Sequence, residues 1–532
     1  MKARAGTIVF ETGGWPVGCA RSSPRETPSP ESTAMPDLSV PLQVPRQRTH
    51  TPLLHPATRR WDIGPIDEPD IVGMPLLQRH LDAHPGALRD VHILYVNHAI
   101  SDALMVARAF HRLGATLTNV LVPYHGVGGT TEEAMYRSFS ALGTTYLPSH
   151  PHPSQFGVVM RAQIRQAVGE AADKARRQNR RWMIVEDGGY AFPLLHDDPV
   201  LRPLLGSCLG SVEHTTRGRW NYEYLEVDEE PSTPRTLGRP AVTISGSALK
   251  TAHEAGFVAQ ALLDETHFLL RRDHQFLRHR KAVVIGYGRV GKALAHEMTT
   301  VNAEVTVVDP VAPDDLPAGL RAGTLVEAIA DGAFLVFGAT GTSSFTREAL
   351  TAFLQRSRNS MLYLASASSK AVEFADLIGL LEQATGNTAL AGELAGDQAT
   401  VTVQSDPSLG IRYHIRWADG DAKQIVLLGD GYPVIFYPAD THGAPNRAMD
   451  PVMTQLFLAA VGLASASDPQ LPPRVHDLDL LRTLPQAQLP AAWTSLLDEE
   501  DMLAQWCALN DIDWPTYRNA VGFTPRGTRA NT

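Results

Sequence analysis

Cysteine is scarce in this 532-residue chain, which contains only Cys19, Cys208 and Cys507. Their spacings suit neither a disulfide framework nor a zinc site, so we expect no bound metal and a reducing, cytoplasmic location. Positive charge is not in excess, because the formal net charge is -10. No uninterrupted apolar run is long enough to cross a bilayer. These absences argue against nucleic acid and membranes as partners and favour small-molecule chemistry.

The composition is that of a globular protein, with 43% hydrophobic and 20% charged residues, and the length predicts two or three domains. Residues 1–60 are rich in Pro, Ser, Thr and Arg and are predicted to form a flexible leader. The segment SHPHPS, Ser149 to Ser154, contains two histidines. Because prolines separate them and no acidic residue is near, we expect a loop there and not a metal site.

Strands and helices alternate in two series, which predicts an α/β fold with doubly wound parallel sheets. The first series contains the strand-like runs DVHILYV, TLTNVLVPY, WMIVEDGG and PAVTIS. A long helix is predicted from about Ala248 to Arg280, and another from about Asp450 to Leu463. The second series starts at Lys281 and runs through AVVI, VTVVD, AFLVFGATG, SMLYLASAS and QIVLLGDGYPVIFY. Helices are expected to dominate the C-terminal part.

A glycine motif, G-x-G-x-x-G, directly follows the strand AVVI and opens a helix. Such glycines allow a tight turn, close approach to a pyrophosphate and close packing of helix on strand. Asp309 ends the next strand, where an acidic residue binds ribose hydroxyls and favours NAD over NADP. A Rossmann turn that has lost its ligand and a site for another nucleotide are the alternatives. The cofactor-binding residues predicted from this motif are Gly286, Gly288, Arg289, Val290, Gly291 and Asp309.

Several segments occur in an order that resembles the adenosylhomocysteinase family. They are VNHAISDALMVARAFHRLGA, MIVEDGGY, SVEHTTRGRWNY, RPAVTISGSALKTAHEAGF, AVVIGYGRVGKALA and IVLLGDGYPVIFYPADTHGAP. The resemblance implies a homo-oligomer and a Rossmann NAD-binding domain (248–435) inserted into an α/β substrate-binding domain (61–247 and 436–490). A small C-terminal segment (491–532) follows.

The resemblance also implies a reaction on the ribose of a nucleoside. The hydrogen at C4′ is not acidic enough to remove until the 3′-hydroxyl is oxidised to a ketone, with hydride passing to NAD. Elimination at C5′ then becomes possible, followed by addition of water and return of the hydride. Because the cofactor is regenerated in each cycle, the family retains it in a closed site.

Four residues match catalytic positions of the family. Lys250 matches a lysine near the ribose 3′-position and is the expected base, and Glu254 occupies the position of an aspartate that holds ribose hydroxyls. Asp187 matches an aspartate in an acid-Gly-Gly turn, and His98 matches a histidine that serves the leaving group or water at C5′. The structural alternatives are a solvated lysine, a surface Lys–Glu pair, a turn-capping aspartate and a hydrogen-bonded core histidine.

Substrate and cofactor contacts follow from the same resemblance, although this chain departs from the family at several of them. His214 replaces a ribose-binding glutamate, Ile100 a threonine near the adenosine and Ala255 an asparagine beside the nicotinamide. Ser368 and Ser369 stand where the family has Gly-His, and the C-terminal tail lacks the lysine and tyrosines that reach a neighbouring subunit. The substrate-binding residues implied are Glu213, His214 and His442. The further cofactor-binding residues implied are Thr215, Thr216, Thr340 and Gly341.

Three functions are compatible with this pattern. The first is an NAD-dependent adenosylhomocysteinase-like hydrolase or lyase that acts on adenosylhomocysteine or on a modified nucleoside, by dehydration in the latter case. The second is a nucleoside or sugar dehydrogenase that releases NADH. The third is a regulatory pseudoenzyme that binds NAD or a nucleoside. The matches at Lys250, Glu254, Asp187 and His98 favour catalysis, and the replaced recognition positions favour an altered substrate.

Overall fold

The run VHILYVNH forms a strand in which every residue is buried. A nearly continuous apolar strand is typical of a parallel sheet covered by helices on both faces. This strand lies in a seven-stranded sheet, the first sheet, in which all neighbouring strands are parallel. The strands of the first sheet are β1 (Val91–His98), β2 (Thr116–Val122), β3 (Gly143–Tyr146), β4 (Arg181–Glu186), β5 (Cys208–Glu213), β6 (Ala241–Thr243) and β15 (Val475–His476).

The computed structural model describes residues 71–122, 129–148, 155–225, 233–312, 315–368, 372–396, 398–436, 443–466 and 471–524. The predicted leader, the segment Ser149 to Ser154, Ser369 and His442 lie outside the described residues.

A second sheet of eight strands forms between β6 and β15 in the chain. Its strands β12, β13 and β14 pair antiparallel and the others pair parallel. The strands of the second sheet are β7 (Lys281–Ile285), β8 (Glu304–Val308), β9 (Leu320–Ala322), β10 (Leu335–Gly338), β11 (Met361–Ser366), β12 (Thr400–Asp406), β13 (Gly410–Arg416) and β14 (Ala422–Leu428).

Both sheets are wound in the same way. The first sheet has the order β15-β6-β5-β4-β1-β2-β3, and the second has β12-β13-β14-β11-β10-β7-β8-β9. The direction of winding therefore reverses between β1 and β4 in one sheet and between β7 and β10 in the other. In doubly wound sheets, ligands bind outside the carboxyl ends of the strands at such switch points. The topology thus marks one edge of each sheet as a place for chemistry.

The helices pack around these two sheets. Helix α13 is apolar enough to cross a membrane by composition, but 94% of its most apolar window is buried inside the protein, as in a core helix. The helices that accompany the first sheet are α1 (Pro75–Ala83), α2 (Ser101–Arg112), α3 (Gly129–Leu142), α4 (Phe156–Arg177), α5 (Ala191–Asp197), α6 (Thr216–Glu223) and α13 (Asn446–Ser465). The second series contains α7 (Ala255–Arg272), α8 (Arg289–Thr300), α9 (Leu325–Ala330), α10 (Arg347–Gln355), α11 (Ala375–Ala384) and α12 (Thr388–Ala395). The C-terminal part contains α14 (Leu478–Arg482), α15 (Ala491–Leu497), α16 (Glu499–Leu509) and α17 (Trp514–Ala520).

The predicted fold class is confirmed: an α/β chain with two doubly wound sheets, a Rossmann-type second sheet and a helical C-terminal segment. Two local features differ from the sequence prediction. The long helix expected from Ala248 to Arg280 begins as a π-helix over Leu249–Glu254 and ends at Arg272. The edge hairpin of β12 and β13 was not predicted, although both strands alternate apolar and polar residues.

Candidate active site

The switch points of the two sheets open onto the same cavity, which has a volume of about 540 Å³. This size falls within the usual range of small-molecule sites, about 300–1,000 Å³. The first sheet lines the cavity with residues at or just after the ends of β1, β4 and β5, namely His98, Asp187 and His214. The second sheet contributes residues after β7, β8, β10 and β11, namely Gly286, Asp309, Thr340 and Ser368.

The glycine motif forms the turn between β7 and α8. Gly286 has φ +94, and a Cβ there would lie 2.7 Å from the carbonyl oxygen of Ala339. A Cβ at Gly291 would lie only 1.9 Å from the carbonyl oxygen of Gly286. Gly288, which caps the start of α8, is different because a Cβ there would meet no atom within 4 Å. Its backbone therefore borders open space at a helix N-terminus, which is the place for a phosphate group.

Asp309 follows β8 and lines the cavity. Its carboxylate accepts hydrogen bonds from the backbone N–H of Tyr287, at 2.6 Å, and of Val311, at 2.8 Å. The carboxylate is thereby fixed beside the glycine turn. Its position fits the binding of ribose hydroxyls.

The loop that carries Thr340 and Gly341 also lines the cavity. Its conformation depends on Glu373, a buried residue that the sequence analysis did not single out. The Glu373 carboxylate accepts hydrogen bonds from the backbone N–H of Thr340 at 2.8 Å, the backbone N–H of Gly341 at 2.5 Å and the Ser344 hydroxyl at 3.0 Å. Burial raises the pKa of Glu373, and these hydrogen bonds oppose the rise. Glu373 therefore acts as an anchor for the loop.

Two arginines connect the halves of the cavity. Arg289, at the start of α8, donates to the carbonyl oxygen of Ser245 and to Oγ1 of Thr216. Arg217 donates to the carbonyl oxygen of Gly341 at 3.2 Å. Thr215, Thr216 and Val290 also line the cavity, as predicted positions for cofactor contact. These hydrogen bonds connect the glycine turn and the Gly341 loop to the segments that follow β5 and β6.

Five ionisable side chains that line the cavity form a continuous chain of contacts, His98, Asp187, His214, Lys250 and Glu254. We call the part of the lining that they form the ionisable wall. His98 Nε2 lies 3.4 Å from Asp187 Oδ1, and His214 Nδ1 lies 2.9 Å from Asp187 Oδ2. Lys250 Nζ lies 3.1 Å from His214 Nε2 and 2.7 Å from Glu254 Oε1. All four predicted catalytic residues are therefore brought together, and His214 connects the two pairs.

Asp187 is the ionised centre of this chain. Burial by itself would raise the pKa of Asp187, but the attraction of His98 and the hydrogen bonds from His214 and His98 hold it well below its ordinary value. His98 also stacks on Phe436, with ring centroids 4.6 Å apart. The two imidazoles thus lie on either side of one carboxylate, and one of them is fixed by an aromatic face.

Lys250 and Glu254 lie on the π-helix. Such wide turns occur often at functional sites. The helix start is fixed by Glu499 of the C-terminal segment, whose Oε1 accepts from the N–H of Ala248 at 2.6 Å and of Leu249 at 3.3 Å. Its Oε2 accepts from Arg482 Nη2 at 2.7 Å. A C-terminal residue that the sequence analysis missed therefore sets the position of the Lys250 helix.

The predicted substrate contact Glu213 has a different environment from the other site residues. Its carboxylate is buried and accepts hydrogen bonds from the N–H groups of Gly188, Gly189 and Thr215, at 3.1, 2.9 and 2.6 Å. Burial raises the pKa of Glu213 well above its ordinary value, and the charges of Glu186 and Asp187 add to the rise. Through these backbone hydrogen bonds, the Glu213 carboxylate connects the turn after β4 to the loop after β5.

Comparisons with solved structures find dehydrogenases. A D-lactate dehydrogenase from Sporolactobacillus shares 10% identity, with a TM-score of 0.30 over 72% of this chain and 98% of that chain. A 2-hydroxyacid dehydrogenase from Ketogulonicigenium vulgare shares 14% identity, with a TM-score of 0.27 over 56% of this chain and 78% of that chain.

Among characterised relatives, the adenosylhomocysteinase of Acinetobacter baylyi is 31% identical over 131 residues, which are 24% of this chain. The chain spans 26% of the length of that relative in this match. A family model described as "Putative NAD(P)-binding" matches residues 276–372. This range contains the glycine turn, Asp309 and the Thr340 loop. The prediction of a Rossmann domain that binds NAD is therefore confirmed.

Proposed function

We propose that this protein is an adenosylhomocysteinase-like enzyme that activates a nucleoside by transient oxidation at the ribose 3′-position and then eliminates a group at C5′. The observation that carries the proposal is the unbroken chain His98–Asp187–His214–Lys250–Glu254 on one wall of a cavity whose other wall is the NAD turn. A set of linked acids and bases beside a redox cofactor suits a reaction that moves both a hydride and protons.

The cofactor would be held by the glycine turn, Asp309 and the loop at Thr340, and when bound it supplies hydride transfer at C3′. Lys250 would take the proton of the 3′-hydroxyl, since it lines the same cavity as the glycine turn that would hold the cofactor. Glu254 orients that amine through its 2.7 Å contact and offers an acceptor for a ribose hydroxyl. The side chains of Lys250 and Glu254 are only 10% and 11% exposed, so water has little access to them.

His98 and Asp187 are assigned to the C5′ end of the substrate. A histidine held by an ionised carboxylate can protonate a leaving hydroxyl or alkoxide and can then take a proton from an incoming water. Stacking on Phe436 fixes the plane of its ring. Preorganisation of this kind keeps the proton donor aligned with the departing group.

The substrate is proposed to be a modified nucleoside and the net reaction a dehydration. Ile100, Met449 and Met453 line the cavity with apolar side chains, and Ala255 adds a small one. Ile100 and Ala255 stand where the related family has a threonine and an asparagine, and the loss of these two polar side chains favours a substrate other than adenosylhomocysteine.

The test is absorbance in the reduced-nicotinamide band of the purified protein mixed with adenosine, adenosylhomocysteine and a panel of modified nucleosides, with products identified by mass spectrometry. Transient reduction together with a dehydrated or hydrated product supports the proposal. Stoichiometric release of NADH would replace it with a dehydrogenase. Bound NAD that no nucleoside reduces would replace it with a regulatory protein.

Substitution Lys250→Ala sharpens this test. It is expected to abolish reduction of bound NAD, by about 10²- to 10⁴-fold in rate, since it removes the proton acceptor without touching the glycine turn. Lys292→Ala, at an exposed lysine on α8, is the matched control and should keep both NAD content and rate. Unchanged turnover in Lys250→Ala would eliminate this residue as the essential base.

A further inference from the structure

His214 has no role in the proposed reaction as stated so far, yet it is the residue that joins the two halves of the ionisable chain. Its ring bridges Asp187 and Lys250, with nitrogen-to-partner distances of 2.9 and 3.1 Å, and its side chain is 5% exposed. We propose that His214 is a positioning residue that receives the proton of Lys250, so that Lys250 can act on the substrate as a free amine. This inference rests on the proposed function.

The direction of the hydrogen bonds supports this role. Asp187 is ionised, because His98 and His214 hold its pKa well below the ordinary value despite burial. An ionised carboxylate only accepts and an ammonium only donates, so a proton on Nδ1 of His214, donated to Asp187, satisfies both neighbours of the ring. The other nitrogen, Nε2, then presents a lone pair to Lys250 Nζ, which donates to it and to Glu254. Lys250 is therefore a donor to two acceptors at rest.

The relay balances as two proton shifts and one hydride transfer. An N–H bond of the Lys250 ammonium breaks, and an N–H bond forms at His214 Nε2. The free amine can then take the proton of the 3′-hydroxyl, and bound NAD would accept the hydrogen at C3′ with its electron pair. The imidazolium formed at His214 is stabilised by the Asp187 carboxylate 2.9 Å away. The proton returns along the same path when the ketone is reduced.

The electrostatics of the pocket explain why an imidazole suits this position. Asp187 contacts His214, Glu254 contacts Lys250, and the buried Glu186 and Glu213 lie close enough to interact with each other electrostatically. The proximity of Glu186 and Asp187 contributes, after burial itself, to the raised pKa of Glu213. A glutamate at position 214 would add another negative charge, and like charges at such distances repel. An imidazole accepts a proton without adding negative charge at rest.

The first experiment compares His214→Gln with the natural chain. Glutamine keeps an uncharged polar group of similar reach but cannot take up a proton. The probe is adenosine, or whichever nucleoside of the panel reduces the NAD bound to the natural protein. We expect NAD content and melting temperature to be the same in both proteins. The rate of NAD reduction should fall by about 10²- to 10⁴-fold. A His214→Gln protein that keeps the natural rate overturns the relay.

Chemical rescue separates proton transfer from packing. In His214→Ala, added imidazole should restore part of the rate, whereas pyrazole, which has a similar shape but is a much weaker base, should not. Equal rescue by both compounds, or by neither, would overturn the relay.

A second readout does not depend on turnover. In ¹⁵N-histidine-labelled protein, the resonances that disappear in His214→Gln should report a protonated Nδ1 and an unprotonated Nε2 near neutral pH. A proton on Nε2 instead would leave His214 without a lone pair for the Lys250 proton and would overturn the inference. If the His214 tautomer is as expected but no nucleoside reduces the bound NAD of the natural protein, the proposed function is wrong, and with it the relay, whereas the hydrogen bonds from Asp187 through His214 to Lys250 are confirmed.

Discussion

The two sheets contribute different kinds of chemical group to the same cavity. The second sheet offers mostly backbone: a turn with glycines at 286, 288 and 291, the start of α8 and a loop fixed by Glu373. The first sheet offers ionisable side chains at the ends of β1, β4 and β5, completed by the π-helix. Backbone N–H groups bind an anion without exchanging protons, whereas imidazole, carboxylate and amine groups exchange them readily. The second sheet is therefore suited to binding the cofactor, and in the proposed function the first sheet supplies the groups that transfer protons.

The supports of the two walls differ as well. The glycine turn is held by close backbone packing, as at Gly291 against the Gly286 carbonyl. The ionisable wall is held by buried carboxylates that bind backbone N–H groups, with Glu186 at the start of α5 and Glu499 at the start of the π-helix. Apart from the hydrogen bonds of Arg289 and Arg217 between them, the two walls have separate supports, so we expect damage to one wall to leave most of the other intact. This independence can be tested wall by wall.

The largest effect is expected from Gly291→Ala. The added Cβ would lie 1.9 Å from the Gly286 carbonyl oxygen, so α8 must move away from β7. Overpacking of this kind costs about 1–3 kcal/mol or more, and the displaced helix start should lose its phosphate site. We expect a lower melting temperature of the cofactor-free protein and no copurifying NAD, measured by calorimetry and by absorbance after denaturation.

Gly288→Ala is the matched control for this prediction. Its Cβ meets no atom within 4 Å, so the melting temperature of the cofactor-free protein should stay the same while NAD affinity drops. Identical behaviour of the two variants would contradict the division between packing at Gly291 and ligand approach at Gly288.

A smaller effect, on the other wall, is expected from Glu499→Ala. This change leaves the N–H of Ala248 and the guanidinium of Arg482 without the partner each has at 2.6 and 2.7 Å. Loss of a buried charged partner costs about 3 kcal/mol, and the Lys250 helix should shift. We expect a lower urea midpoint and slower reduction of NAD, but normal NAD content.

Asp479→Asn provides the comparison for Glu499→Ala. Asp479 also pairs with Arg482, at 2.9 Å, but its side chain is 55% exposed, so its loss should cost less than about 1 kcal/mol. If Glu499→Ala lost NAD as Gly288→Ala does, the two walls would not be independent.

The sequence predicted the two walls to different degrees. The glycine turn and Asp309 lie within one strand–helix–strand unit, so local spacing was sufficient to predict them. His98, Asp187 and Lys250 were identified only by resemblance, and their contacts depend on the order in which strands are wound. The bridge from Asp187 through His214 to Lys250 joins three distant segments. No spacing rule predicts such a contact, so the hydrogen bond between His214 and Lys250 was not predicted, and the assignment of His214 to the substrate stays a prediction.

The supporting carboxylates were missed for another reason. In the sequence, nothing separates Glu373 and Glu499 from ordinary surface glutamates. Only the structure shows that both are buried and accept hydrogen bonds from backbone N–H groups. Glu213 is a different case. It was predicted to contact the substrate because it precedes His214, which stands in place of a ribose-binding glutamate of the family. In the structure its carboxylate accepts hydrogen bonds from the N–H groups of Gly188, Gly189 and Thr215. The hairpin of β12 and β13 did have a signal, the alternation in TVTVQ and GIRYHIR.

The smallest effect is a pH dependence confined to the ionisable wall and traceable to His253, which is 1% exposed on the π-helix. Burial lowers the pKa of His253 to about 4, with Nε2 donating to the Ala448 carbonyl at 2.6 Å and Nδ1 facing the Tyr517 hydroxyl at 2.7 Å. Between pH 6.5 and about 4 the unfolded chain binds the proton and the folded chain does not. The free energy of unfolding therefore falls as pH is lowered through this window, by about 1.4 kcal/mol between about pH 8 and about pH 5.5. Urea titrations should show this loss shrinking in His253→Gln and persisting in Tyr517→Phe, which keeps the imidazole; an unchanged loss in His253→Gln would assign the acid sensitivity to other groups.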